Sequence, residues 1–326
     1  MSKLHEATGL GQSIWLNGLD RPFIHNHHLL KLIQLGVHGV TTHPQAFVEA
    51  LVNSSDYDHQ LMDLTRKGHE VKAIAEKLLF TDIQTAVDLI HPIYERTHGV
   101  DGYVSLDINP ALEHDTEEIV SEGLRLDFDV NATHIYTVET YEKVVQAYLA
   151  GLDYFWTHLS VWRLPPAAVA TVPVTRLDQA VGAQLDEASH KMAGMATAKV
   201  IYGRFQHHFG NDEWKKLAKH GSRLQRPLWE SSDDPRYVHS LMGTNTIHSL
   251  PAAHISTFLD ESPMTDTLTP GRDKAQQTLA NLAQQGIDLA IIEKQLQAQA
   301  IESIRRSYQS LANTVIERRD ELATTF

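Results

Sequence analysis

Short apolar runs alternate with long helical stretches along almost the whole chain, and that alternation is the signature of a parallel α/β fold. Strand-like runs are read at 13–16, 39–42, 103–108, 130–135, 169–175, 224–229 and 246–250. Between them the pattern turns helical. A helix over 28–35 is stopped by Gly36, and Pro44 opens the next at its first turn, where a missing N–H costs nothing. Helical segments run over 57–96 with breaks near Gly68 and Pro92, and 115–118 looks like a capped helix start. Further helices are expected over 141–149, over 177–209, and over 272–321 with a break at Gly286. No low-complexity linker or short repeat interrupts the series. A single domain spanning 1–326 is therefore expected, a (β/α) TIM-barrel-like fold with C-terminal helices and its site at the carboxyl ends of the strands.

Composition narrows the function classes. The net charge of −13 gives no electrostatic footprint for nucleic acid or an anionic membrane surface. The chain has no cysteine, which excludes disulfides, iron–sulfur ligation and a thiol nucleophile. The first ten residues lack a basic cap followed by an apolar run, and the most apolar stretch, 164–174, holds three prolines and is too short to cross a bilayer. A cytoplasmic protein with a small-molecule substrate is expected, with neither nucleic acid nor membrane as a partner. Twenty histidines stand out, and the densest cluster, His25-Asn26-His27-His28, reads as the solvated entry to a helix.

Five segments occur in the order in which a known family carries them. They are 11–16 (GQSIWL), 39–42 (GVTT) with Pro44, 101–106 (DGYVSL), 225–229 (QRPLW) and 286–289 (GIDL). On these segments the chain resembles the transaldolase family, in its longer bacterial subfamily. The resemblance implies a (β/α) barrel and, in the family, a Schiff base between a lysine on strand four and a ketose phosphate. Here the helical stretch 115–126 passes almost directly into 127–133, so roughly thirty residues, about one βα unit, are missing by comparison. No lysine lies between Lys77 and Lys143. An amine is what makes the iminium electron sink, and no other side chain replaces it. Lys143 and Lys199 fall in helical segments, which a barrel directs to its outer layer. The expectation is a transaldolase-like, seven-stranded barrel that is not a functional transaldolase.

The resemblance also places the site. Asn17 stands where the family carries a proton-transferring aspartate; an amide orients but does not exchange protons. The family's strand-two asparagine is His43, after Thr41, and its strand-three glutamate is Asp107. Asn131 and Thr133 keep the polar pair of the family's fifth strand, and Arg176 and Ser231 match phosphate contacts. The family's next basic residue is lost, leaving Ser232-Asp233-Asp234, and two acids would repel a phosphate. Arg176 has an alternative role in pairing with Asp178. His134 follows Thr133 by one residue and by alternation points toward the helices unless the strand has ended there.

Three readings follow. In the first, His43 and Asp107 perform acid–base chemistry of lyase, isomerase or cyclase type on a small oxygen-rich carbonyl or polyol, without a cofactor. Asn17, Thr41, Asn131, Thr133, Arg176 and Ser231 bind the substrate. In the second, a divalent metal sits on His43 and Asp107 with His134 or His248 as a third ligand, leaving a position open for catalysis. In the third, the chain is an inactive homologue that binds or scaffolds. A lost βα unit leaves a strand edge to be covered, and a homodimer is expected to cover it.

Overall fold

The computed structural model describes residues 3–106, 130–158, 165, 167–185, 193–231, 235–257 and 264–325. Its strands are β1 (Gln12–Asn17), β2 (Val37–Thr42), β3 (Val104–Leu106), β4 (Val130–Ala132), β5 (Ala168–Pro173), β6 (Gln225–Glu230) and β7 (Thr246–Pro251). They form one seven-stranded sheet in the order β3-β2-β1-β7-β6-β5-β4. The pairs β2–β3, β4–β5, β5–β6 and β6–β7 are parallel, which requires the helical crossovers that the sequence supplies. By contacts the chain divides into two compact units, one from Met1–Ile14 with Val120–Ala298 and the other from Trp15–Ile119 with Gln299–Phe326. Strand β1 contributes to both.

In the second unit, α2 (Arg21–His25), α3 (His28–Leu35), α4 (Pro44–Asn53), α5 (Asp58–Arg66) and α6 (Val71–Arg96) accompany β2 and β3. Asp20 caps α2 by accepting from Phe23 N at 2.8 Å. An apolar cluster joins Phe47 and Leu51 of α4, Leu61 of α5, Ile74 and Leu78 of α6, and Leu311 and Val315 of the C-terminal helix. Beside it lies a buried ion pair, in which Arg21 Nε donates to Asp82 Oδ1 at 2.6 Å. Tyr57 Oη donates to the other carboxylate oxygen at 2.7 Å, and the Arg21 guanidinium stacks over the Tyr57 ring. Burial pushes the Asp82 carboxyl up, against the opposing pull of Arg21 and Tyr57.

The first unit holds α1 (Lys3–Gly9), α7 (Val138–His158), α8 (Val174–Gly182), α9 (Ala193–His208), α10 (Asp212–Lys219), α11 (Pro235–Ser240), α12 (Ala252–Thr257) and α13 (Arg272–Gln284). Helix α14 (Leu289–Thr325) begins in it. Its main cluster packs Ala170, Val172 and Trp229 of the strands against Tyr141 and Val145 of α7 and Ile201 and Phe205 of α9. None of the described helices is long and apolar enough to cross a membrane.

Three sequence expectations need correction. Pro92 does not break α6, which continues to Arg96; the proline removes only one hydrogen bond, within two turns of the helix end. Strand β4 stops at Ala132 instead of residue 135, because His134 adopts a left-handed φ of 60° that no ladder accepts. The helix read over 177–209 is two, α8 and α9, and α8 starts at Val174 directly after Pro173. Asp107 and the helix start at 115–118 lie outside the described residues.

Candidate active site

Alternation and register decide which side chains leave the helical layer. In the second unit Val104 packs on the α5–α6 cluster, so its partner Val40 shares the helix side, and the pair Thr41–Ser105 takes the opposite side. Gly39 shares that side with Thr41, and a Cβ on it would collide with the indole of Trp15. Glycine is what lets this indole lie flat on β2. Its Nε1 donates to Asp101 Oδ1 at 3.2 Å, and His38 Nδ1 meets the other oxygen at 3.3 Å. This buried group forms a fixed floor near the start of β2.

Asn17 closes β1, two residues beyond Trp15, and His43 directly follows the last residue of β2. His43 Nε2 lies 2.9 Å from Asn17 Oδ1. His43 occupies the N-cap position of α4, ahead of Pro44, and makes no side-chain cap bond. Its ring meets Asn17 instead. An amide oxygen accepting from Nε2–H fixes the tautomer and makes Nδ1 the basic ring nitrogen. Thr41 is buried and donates weakly to Leu16 O, at 3.4 Å. Both side chains of the pair are half-buried, which suits groups that meet a ligand.

In the first unit Trp229 faces the helices, so its register partners Val172 and His248 do too. Thr171, Pro173, Glu230 and Ser249 take the opposite side, as does Asn131, paired with Val169. Thr171 Oγ1 donates to Asn131 Oδ1 at 2.7 Å. Thr133 is exposed just past the end of β4. Arg176 is exposed in the first turn of α8, three residues beyond Pro173, which is itself the register partner of Glu230. It makes no ion pair with Asp178, whose carboxylate instead accepts from Gly194 N at 2.6 Å and Tyr237 Oη at 2.8 Å.

Ser231 and His248 form a separate, buried pair. Ser231 Oγ lies 2.7 Å from His248 Nε2, and both residues are almost wholly inaccessible. Burial, with His239 nearby, pushes the His248 pKa down to about 3, so the ring is neutral at ordinary pH. Among the described residues no three His, Asp or Glu side chains come together as metal ligands. Of the two lysines weighed above, Lys143 is exposed on α7, and Lys199 Nζ donates to Thr267 O at 2.6 Å and Pro270 O at 3.2 Å.

Sequence reading did not single out Thr171, Tyr136, Glu230 or Glu293. The Tyr136 hydroxyl is buried, and its pKa is pushed up to about 12, first by burial. Arg176 pulls it down by charge and by a side-chain hydrogen bond, while Glu230 and Glu293 push it up. Glu293, from the first turns of α14, accepts from Tyr136 N at 2.9 Å, Thr137 N at 3.1 Å, Thr137 Oγ1 at 2.9 Å and Thr140 Oγ1 at 2.7 Å. Period-two alternation from Pro173 could have found Thr171, and a charge closing the apolar run QRPLW could have flagged Glu230. Glu293 has no local signal.

Parallel strands joined by helices, with polar side chains collected at their carboxyl ends, define a (β/α) barrel enzyme class. The profile of the transaldolase/fructose-6-phosphate aldolase family matches residues 14–127 and 125–315, and the chain belongs to that family. Its fold is thus the transaldolase-type (β/α) barrel, with seven strands among the described residues. Similar proteins include the transaldolases of Saccharopolyspora erythraea (32% identical, covering 98% of each chain) and Mycolicibacterium smegmatis (30%, covering 94% of this chain and 95% of the other). A transaldolase of Parafrankia sp. is 30% identical over 97% of this chain and 98% of its own. The first alignment has 364 positions but holds 98% of 326 residues, about 319, so about 45 positions have no residue from this chain. The two profile pieces meet at 125–127.

Proposed function

We propose that this chain is a transaldolase-family enzyme that has left imine chemistry and acts by proton transfer on a small carbonyl or polyol compound. The observation that carries the reading is a coincidence of place. No lysine lies between Lys77 and Lys143, and the family profile breaks at 125–127, within that same interval. His43, with its tautomer held by Asn17 at 2.9 Å, then takes a proton from carbon beside a carbonyl, or from a hydroxyl, and returns it elsewhere. Asp107 supports the charge that forms on the ring. Thr41, Asn131, Thr133 and Arg176 are the substrate contacts of this reading, and Ser231, buried and bonded to His248, is not among them. A cytoplasmic location and a homodimer complete the reading, the second to be checked by sedimentation velocity.

The test is borohydride trapping. Incubated with fructose 6-phosphate, or with unphosphorylated dihydroxyacetone, the intact protein keeps its mass. A stable mass increase mapped to one lysine overturns the reading in favour of the second one, an ordinary transaldolase, which the names of the relatives at 30–32% identity support. His43→Gln preserves size and polarity, and it is expected to cost about two to four orders of magnitude in turnover. Asp107→Asn costs as much or less, since it acts through the ring.

A further inference from the structure

The chain leaves β4 through a turn that a distant helix holds in place. β4 ends at Ala132, so ladder register no longer fixes Thr133, and the backbone that follows must do it. His134 takes a left-handed φ of 60°. A residue with a side chain is disfavoured there and persists where its surroundings over-determine the backbone. Ties from two directions do so here. From β5, Thr171 O accepts from Ile135 N at 3.2 Å while the Thr171 hydroxyl donates to Asn131 Oδ1, so one residue holds both arms of the turn. From α14, Gln297 Nε2 donates to His134 O, and Glu293 Oε1 accepts from Tyr136 N and Thr137 N. Helix α7 also carries a cap of its own, in which Thr137 Oγ1 accepts from Thr140 N at 3.1 Å. The bonds to Tyr136 N and His134 O fall ahead of that cap, on the turn itself.

We infer that Glu293 and Gln297 are positioning residues for the substrate: from α14 they hold this turn in the shape that presents Thr133 two residues beyond Asn131. The inference rests on the proposed function, which makes Asn131 and Thr133 substrate contacts, and deepens it by naming what orients them. Thr133 is exposed, so packing does not hold its hydroxyl still, and its backbone has to. A contact displaced by about 1 Å can cost on the order of 100-fold even when the cause lies far from the ligand. Residues 293 and 297 stand four apart on α14 and so share one face of it, the spacing needed to meet successive residues of a single turn. Glu293 does not itself react. It is 7% exposed, and four donors already occupy its two oxygens.

The experiment uses the full chain with fructose 6-phosphate as the probe. Calorimetric titration reads affinity, the NMR shift of the Thr133 methyl reads the contact, and hydrogen exchange at the amides of 135–137 reads the order of the turn. In wild type the probe is expected to move the Thr133 methyl. Gln297→Met and Glu293→Gln keep size while altering the bonds to the turn. Each is expected to speed exchange at 135–137 and to weaken binding by about tenfold, with circular dichroism unchanged. Thr133→Val weakens binding as well. A merely structural role would not produce the coupling expected next: in the double variant Thr133→Val, Gln297→Met the losses do not multiply, because Gln297 acts through Thr133. Losses that multiply overturn the inference, as does unchanged affinity in both α14 variants. A wild-type titration that leaves the Thr133 methyl unmoved also overturns it, by removing the contact on which it rests. Hydrogen exchange tells the two failures apart. A turn loosened in Gln297→Met beside a silent methyl means that the site reading fails, and unaltered exchange means that the positioning does.

Discussion

His248 shows how far a single side chain can be read from sequence. A histidine near the end of the last strand suggests a ligand or a proton carrier; register pairs it with Trp229 and turns it into the helical layer. Its consequence is thermodynamic. The folded ring holds a pKa of about 3, below the value near 6.5 of an unfolded histidine. Between those values the unfolded chain binds a proton that the folded chain refuses, so stability present above pH 6.5 is lost as pH falls toward 3. The slope is about 1.4 kcal/mol per pH unit, and roughly 2 kcal/mol is lost on going from pH 7 to pH 5. Urea unfolding at the two pH values measures it, and His248→Gln should flatten the dependence by about that amount. An unchanged slope in the variant would show that the ring is not held neutral. His43 was legible for the opposite reason. Thr41-Thr42-His43-Pro44 fixes strand end, cap and helix start within four residues, so alternation places its ring without tertiary information.

At the scale of elements, periodicity located all seven strands, because each is a short apolar run between helical stretches. What it missed depended on partners distant in sequence. Nothing in residues 130–137 announces that β4 ends at Ala132, since the turn that follows is held by Glu293 and by Gln297 Nε2, which donates to His134 O at 3.1 Å. Four donors converge on the Glu293 carboxylate, so it works as a cap supplied to α7 from another helix. Glu293→Ala strands these buried groups and is expected to cost about 2–4 kcal/mol, with Glu293→Gln losing less because one acceptor oxygen remains. Chemical denaturation reads both, and equal losses from the two variants would argue for packing in place of capping. Arg21 and Asp82 pose a similar case, 61 residues apart and invisible to any local pattern. Asp82→Ala leaves a buried guanidinium uncompensated and is expected to cost about 3–5 kcal/mol; a loss below 1 kcal/mol would show that water reaches the site.

At the scale of the whole molecule, the two units interleave along the chain, and neither is a continuous segment. The unit containing β2 and β3 takes its last part from residues 299–326, which begin 180 positions beyond Ile119. Leu311 and Val315 of that segment are buried in the cluster with Phe47, Leu61 and Leu78, and Arg318 makes paired bonds of 2.8 Å to both carboxylate oxygens of Asp58. A chain ending at Ala298 therefore uncovers apolar surface on α4, α5 and α6. Burial of a Leu-sized side chain contributes about 1.5–3 kcal/mol, and a cavity in its place adds to the loss. Leu311→Ala alone is expected to cost about 2–5 kcal/mol. The truncated chain should bind the dye ANS strongly, aggregate on expression and lose the cooperative thermal transition of the intact protein. The point variant separates packing from simple length: if Leu311→Ala melts like the parent while the truncation fails, the segment acts by closing the helix and not by filling the cluster. A truncated protein with the parent's melting curve and no dye binding would show that the α4–α6 cluster is complete without its distant helix.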